Sequence, residues 1–195
     1  MAITTRSGKG SQLTWAEMDT NLSELDTRTA VGWFNLVGEM VTDGIPNAPA
    51  MRLYNSTMYM RAFSADVEQE VSCIFVVPKD YTGGDDLYPN GHLVTPTASS
   101  GVVRWKITMS YAAEGNVFSA PYTFYVDQTV SATDQDKHLL IPSGAMTIVD
   151  LPTDSLIFLR VARDATHIND TYPDEIYLGA IAMYYQVQGF GETTI

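Results

Sequence analysis

The side chains with chemistry to offer are few: three histidines, one cysteine, a scatter of loop carboxylates and several tyrosines. His92, His138 and His167 lie in separate segments, and no H-x-x-x-H pair sets two imidazoles on one helix face for a metal. Cys73 sits in the apolar run "VSCIFVV", the setting of a buried, inert thiol, and a lone cysteine leaves no internal disulfide. Neither G-x-G-x-x-G nor G-x-x-x-x-G-K-[ST] occurs, and no serine stands in a G-x-S-x-G elbow. With no nucleophile and base in view, the chain reads as a non-enzyme without a catalytic set, a cofactor site or a defined metal site.

Two groups of residues remain as binding candidates. Asp85 with Asp86, Asp134 with Asp136, and Asp164 with Asp170, Asp174 and Glu175 are clusters of hard oxygen ligands of the kind calcium takes, but none has the twelve-residue calcium-loop pattern. Ordinary solvated loop acids are the plainer reading of them. Tyr81 and Tyr88 flank the loop "TGGDDL" and Tyr172 precedes Pro173, so rings standing on these loops would stack on a pyranose face of a host-surface glycan. Tyrosine packed at a sandwich edge or a protein interface is the plainer reading.

These residues need a scaffold, and the composition supplies one. The 195-residue chain is 45% hydrophobic and 17% charged, enough for one medium domain with an appendage. Its formal charge of -12, from 11 Lys and Arg against 23 Asp and Glu, repels phosphate backbones and argues against nucleic acid as a partner. No apolar run is long enough to cross a bilayer as a helix, and "MAITTRSGKG" lacks the apolar segment of a signal peptide, so no membrane partner and synthesis in the cytosol are expected.

Near the start, "KGSQLTWAEMDTNLSELD" carries a helix signal. Thr14 and Glu17 have capping-box spacing, and Leu13 with Met18 occupy the positions of a hydrophobic staple. Trp15, Met18, Leu22 and Leu25 then follow at intervals of three, four and three, a narrow a/d seam. About a dozen residues of helix is marginal alone in water, so the seam packs on its own domain, on copies of itself or on another protein. Leu13, Trp15, Met18, Leu22 and Leu25, with Trp33 and Phe34 from the clump "AVGWFNLVGEMV", are the expected anchor or oligomer interface.

Gly44, Pro46 and Pro49 mark a linker, which gives an arm and helix over 1–37, a linker over 38–50 and a strand-rich domain over 51–195. "VRWKITMSY" alternates cleanly, with Val103, Trp105, Ile107, Met109 and Tyr111 on one face. Further strands are expected in "MRLYNSTMYM", "EVSCIFVV", "GHLVT", "YTFYVDQTV", "KHLLI", "AMTIV", "SLIFLRVA" and "EIYLGAIAMYYQVQ". Many short strands without long intervening helices predict a mainly β fold: an antiparallel β-sandwich or jelly roll with a short N-terminal helix.

The terminal segment resembles one found in tailed-bacteriophage virion proteins, tail-fibre and related appendage proteins especially, through G-x-x-L-T-x-x-E-x-D-x-N-x-x-x-L: Gly10, Leu13, Thr14, Glu17, Asp19, Asn21 and Leu25. "FVVPKDYTGG", "GVVRWKITMSYAAEG" and "LRVARDATHINDTYPDEIYLGAIAMYY" are similar in layout to β-sandwich domains of phage head-fibre, decoration and tail proteins. The resemblance implies a virion structural protein, made in the host cytoplasm, that is attached through its arm to major capsid or tail proteins and displays a jelly roll as a homotrimer. The alternative is a receptor-binding module that recognises a host-surface glycan, and a small hydrolase is a third reading.

Overall fold

A computed structural model describes residues 14–18, 31–81, 87–142 and 151–188. The fold is the expected one, a mainly β antiparallel sandwich of jelly-roll type with a short N-terminal helical turn. Its strands are β1 (Val31–Val41), β2 (Ala50–Tyr54), β3 (Met58–Phe63), β4 (Gln69–Val76), β5 (Tyr88–Val94), β6 (Gly101–Ala112), β7 (Tyr122–Val130), β8 (His138–Leu140), β9 (Leu156–Arg163) and β10 (Ile176–Gln188). No helix among the described residues is long and apolar enough to cross a membrane.

Two sheets share β1. In the first, β10 is the spine: β5 lies along one side of it and carries β8 on its far edge, while β3 and the first part of β1 share the other side and β2 borders β3. In the second, the end of β1 pairs with β4, and β4, β9, β6 and β7 follow in order. A strand that changes sheets must bend at the corner. Here the change comes after Gly38, where a Cβ would stand 2.7 Å from the Phe75 ring, so only glycine lets the strand come this close.

Period-two alternation turns one face of each sheet inward. Val103, Trp105, Ile107 and Met109 on β6 are buried, and so are Ile181 and Met183 on β10. Phe63 from the first sheet meets Trp105 from the second edge to face, with ring centroids 5.4 Å apart. Burial of such rings at about 25 cal/mol per Å² is the main force holding the sheets together. The indole nitrogen of Trp105 donates to Gln128 Oε1 at 3.1 Å, and Gln128 Nε2 donates to the Leu140 carbonyl at 3.0 Å, which ties β7 to β8 across the sandwich.

Two expectations about organisation are corrected. Residues 31–37 belong to β1, fully paired with β10, and the stretch read as a linker opens with the end of that same strand, so the boundary at 37 and 38 does not exist. The run "MRLYNSTMYM" is a hairpin and not one strand: three residues, 55–57, connect the paired Tyr54 and Met58, and Asn55 and Ser56 among them both have positive φ. "AMTIV" lies outside the described residues.

The turn before β10 is held by a polar knot. Arg163, 0% exposed, makes a two-pronged contact with Asp170 (Nε to Oδ2 3.1 Å, Nη2 to Oδ1 2.8 Å) and donates to the carbonyls of Asp174 and Tyr172. Asp174 in turn accepts from Thr97 at 2.7 Å and Ser99 at 2.5 Å, and these bonds hold its carboxyl below the usual carboxylate range. Asp170 and Asp174, read from sequence as calcium candidates, are therefore engaged by protein donors, as is Asp134, which caps a 3-10 turn at Ser131, while Asp85 and Asp86 lie outside the described residues. Among the described residues no group of three or more metal-ligating side chains converges.

Candidate functional site

The outer face of the first sheet carries the arrangement most suited to recognition. In β5 the core residue Leu93 fixes the register, so Tyr88, Asn90, His92 and Val94 point away from the core. Opposite them on β10 stand Tyr184, Ala182, Ala180 and Tyr177. His138 on β8 lies beside Val94, and Asn35 on β1 lies beside Tyr184. The result is a strip with tyrosines at both ends and amide and imidazole groups between.

Asn90 is the unusual member. It is 4% exposed, yet neither its Oδ1 nor its Nδ2 has a hydrogen-bond partner. Arg61 Nε, Arg104 Nε and Ser155 Oγ are the other buried unpartnered atoms, but among the described residues Asn90 alone has two. Each such atom costs about 1–3 kcal/mol of desolvation that no bond offsets. An amide left unpaired in this way makes the face that carries it the candidate for recognition of an outside group.

Next along the strip, His92 Nδ1 and His138 Nε2 are 2.9 Å apart. Their ring planes are parallel within 1° and the centroids are 5.1 Å apart, a separation that two ring radii and the N···N contact account for. The imidazoles therefore meet edge to edge and share one proton. Burial first, and the neighbouring imidazole second, push His92 below its usual pKa.

Aromatic rings close both ends. Trp33 meets Tyr88 edge to face, with centroids 5.2 Å apart. At the other end Tyr54 meets Tyr177 at 6.1 Å and donates its hydroxyl to Asp136 Oδ1 at 2.8 Å; burial, then the Asp136 contact, keep that phenol protonated. From Tyr177 to Tyr184 along β10 is about 23 Å at roughly 3.3 Å per residue, room for a short linear ligand.

Of the tyrosines read from sequence, Tyr88 belongs to this strip. Tyr81 and Tyr172 do not, and the picture of them as standing loop rings is corrected: they are 6% and 1% exposed. Tyr81 packs near Tyr185 in the core, and Tyr172 lies under the Arg163 guanidinium with its hydroxyl on Thr97. Neither offers a ring face to a sugar. Cys73 is buried as expected, with its thiol pushed up to about 12.

At the terminal helix the capping box is present: Glu17 N donates to Thr14 Oγ1 at 3.2 Å, and Thr14 N to Glu17 Oε2 at 2.7 Å. Trp15 is 82% exposed and Met18 half-buried. Leu13, Leu22 and Leu25 lie outside the described residues. Trp33 and Phe34 are part of β1, Phe34 with its ring 6.1 Å from that of Tyr185, so they belong to the sandwich body.

Sequence reasoning missed Asn90 and the histidine pair. "YPNGHLV" does show Tyr, Asn and His at alternate positions, but Pro89 and Gly91 between them make it look like a turn. Gly91 is required on the inner side, where a Cβ would come within 2.5 Å of the Ile141 side chain. A groove of about 330 Å³ between the β6–β7 loop and the turn before β9, lined by Glu114, Asn116, Phe118 and Asp154, is the other concavity of note. It is open and shallow, and none of its lining side chains is a buried polar group without a partner.

No protein-family model matches the chain, and no curated protein sequence matches it. Solved structures similar in fold include a family 61 carbohydrate-binding module in complex with β-1,4-galactotriose, at 11% identity and a TM-score of 0.33 over 80% of this chain and 88% of that one. The C-terminal family 22 carbohydrate-binding module of Clostridium thermocellum Xyn10B is similar at 13% identity and a TM-score of 0.36, over 84% and 87%. A third is the infectious bursal disease virus Gx strain, at 10% identity and a TM-score of 0.36, where 82% of this chain matches 33% of that one. Likeness this distant says nothing about the chemistry of the strip, which rests on its own geometry.

Proposed function

We propose that this chain is a non-catalytic recognition module that binds a host-surface glycan along the outer face of its first sheet. The observation that carries this reading is the Asn90 carboxamide, buried on that face with donor and acceptor both unpartnered, in a strip with aromatic rings at each end. Sugars present hydroxyls to the polar centre and C–H faces to the rings, so one ligand class satisfies both parts. Binding is tested on an array of bacterial-surface and plant oligosaccharides, with Tyr88→Ala as the control. Retention of glycan by the unmodified chain and its weakening by Tyr88→Ala is the expected result. An array with no bound glycan defeats the reading.

A second reading concerns attachment, and it is favoured by Trp15, a large apolar side chain left 82% exposed at the capped start of the helix. In this reading the chain is a tailed-phage virion component whose arm binds major capsid or tail proteins, with the sandwich displayed as a trimer. The two readings are compatible, since one uses the arm and the other the sheet face. Deletion of residues 1–30 is expected to abolish attachment to particles and leave glycan binding intact. Full attachment after that deletion removes the anchoring role.

A further inference from the structure

We infer that the strip accepts an uncharged sugar through a free vicinal diol seated on the Asn90 carboxamide, with the His92–His138 pair taking a nearby hydroxyl. This rests on the glycan reading above and adds the chemical class of the ligand.

A carboxamide presents one acceptor oxygen and a donor N–H side by side in one plane. Both are unpartnered at Asn90, so the complementary group must offer a donor and an acceptor on neighbouring atoms. Two hydroxyls on adjacent ring carbons do this: one donates to Oδ1 while the other accepts from Nδ2. A carboxylate or phosphate supplies acceptors only, would leave Oδ1 unpaired, and would bring negative charge to a chain that carries -12. An ammonium group supplies donors only and leaves Nδ2 unpaired.

The histidine pair supports the same class. When both rings are neutral, with one proton between Nδ1 of His92 and Nε2 of His138, the two outer ring nitrogens are one donor and one acceptor. Moving that proton from one ring to the other, with the outer proton following, exchanges the two roles. A hydroxyl, itself both donor and acceptor, fits either state, whereas a fixed anion or cation fits one. His92 is two residues from Asn90 on the same face, within reach of the next hydroxyl along a pyranose chain. Because the amide is 4% exposed, the state that admits a ligand is a minor one, which lowers apparent affinity without changing the chemistry recognised.

The test is calorimetric titration of the full chain with neutral oligosaccharides selected on the array, their analogues methylated on the vicinal oxygens, and galacturonate oligomers of equal length. The expected result is binding of the neutral sugars, loss on the order of tenfold or more on methylation, and no binding of galacturonate. Asn90→Leu is expected to lose affinity to the same extent while raising the unfolding midpoint, a combination that a merely structural residue would not give. If methylated sugar or Asn90→Leu binds as well as the parent while Tyr88→Ala still weakens binding, the glycan reading stands and the diol inference falls. If no neutral or acidic sugar binds, both fall.

Discussion

Arg163 and Asn90 are two buried polar side chains in one sandwich, and they are treated in opposite ways. Arg163, beneath the turn before β10, has its guanidinium covered by Asp170 and by carbonyls of Tyr172 and Asp174. Asn90, on the outer face of the first sheet, has its amide covered by nothing that bonds to it. The fully paired group holds a turn against two strands, which is a structural use. The unpaired one weakens the isolated chain, and that imbalance is what makes its face the candidate site.

The contrast is sharpest in stability. Arg163→Ala is expected to cost about 3–5 kcal/mol, because Asp170, although it keeps its bond from the Arg104 amide, would be left with a buried charge that no cation balances. Chemical denaturation measures it, and a cost below 1 kcal/mol would mean that the knot is looser than its distances say. Asn90→Leu is expected to go the other way, gaining about 1–3 kcal/mol as two unsatisfied atoms are replaced by an apolar group of similar size. A loss of stability there would show that the amide has a partner in solution, such as bound water.

Acid titration separates the two regions again. The Asp174 carboxyl is held below its usual value in the folded state, so its stabilising contribution is present above the ordinary carboxylate pKa of about 4 and is lost as pH falls through the depressed value. His92 is held below its usual value as a base, so the unfolded chain takes up the proton first and stability declines as pH falls below about 6.5. Unfolding free energy measured against pH is expected to bend in two places, and His92→Gln is expected to remove only the upper bend. Smallest of all, Trp15→Ala is expected to change stability by no more than about 0.5 kcal/mol, since the ring is 82% exposed; a larger loss by thermal unfolding would mean that it packs on its own chain.

Much of the fold was readable because it is local. "YTFYVDQTV" is β7 over the same residues, "VRWKITMSY" alternates as expected, and Thr14 with Glu17 form the capping box that their spacing announced. The candidate site was readable in part, through Tyr88. Asn90 was hidden by its turn-forming neighbours, and the domain boundary was misplaced because glycines at 38 and 44 look alike on paper, although Gly38 is a close approach inside a paired strand.

Residue order alone determined that stretches such as β6 and β7 extend and which face of β6 goes inward, because these depend on neighbours two positions apart, and composition alone set the acidic charge. Only the tertiary structure decided that His92 meets His138 across 46 residues, that Arg163 is buried with Asp170, and that Asn90 is enclosed with its amide unpaired. Those outcomes depend on which strands lie beside β10 and in what register, and register is fixed by packing between sheets.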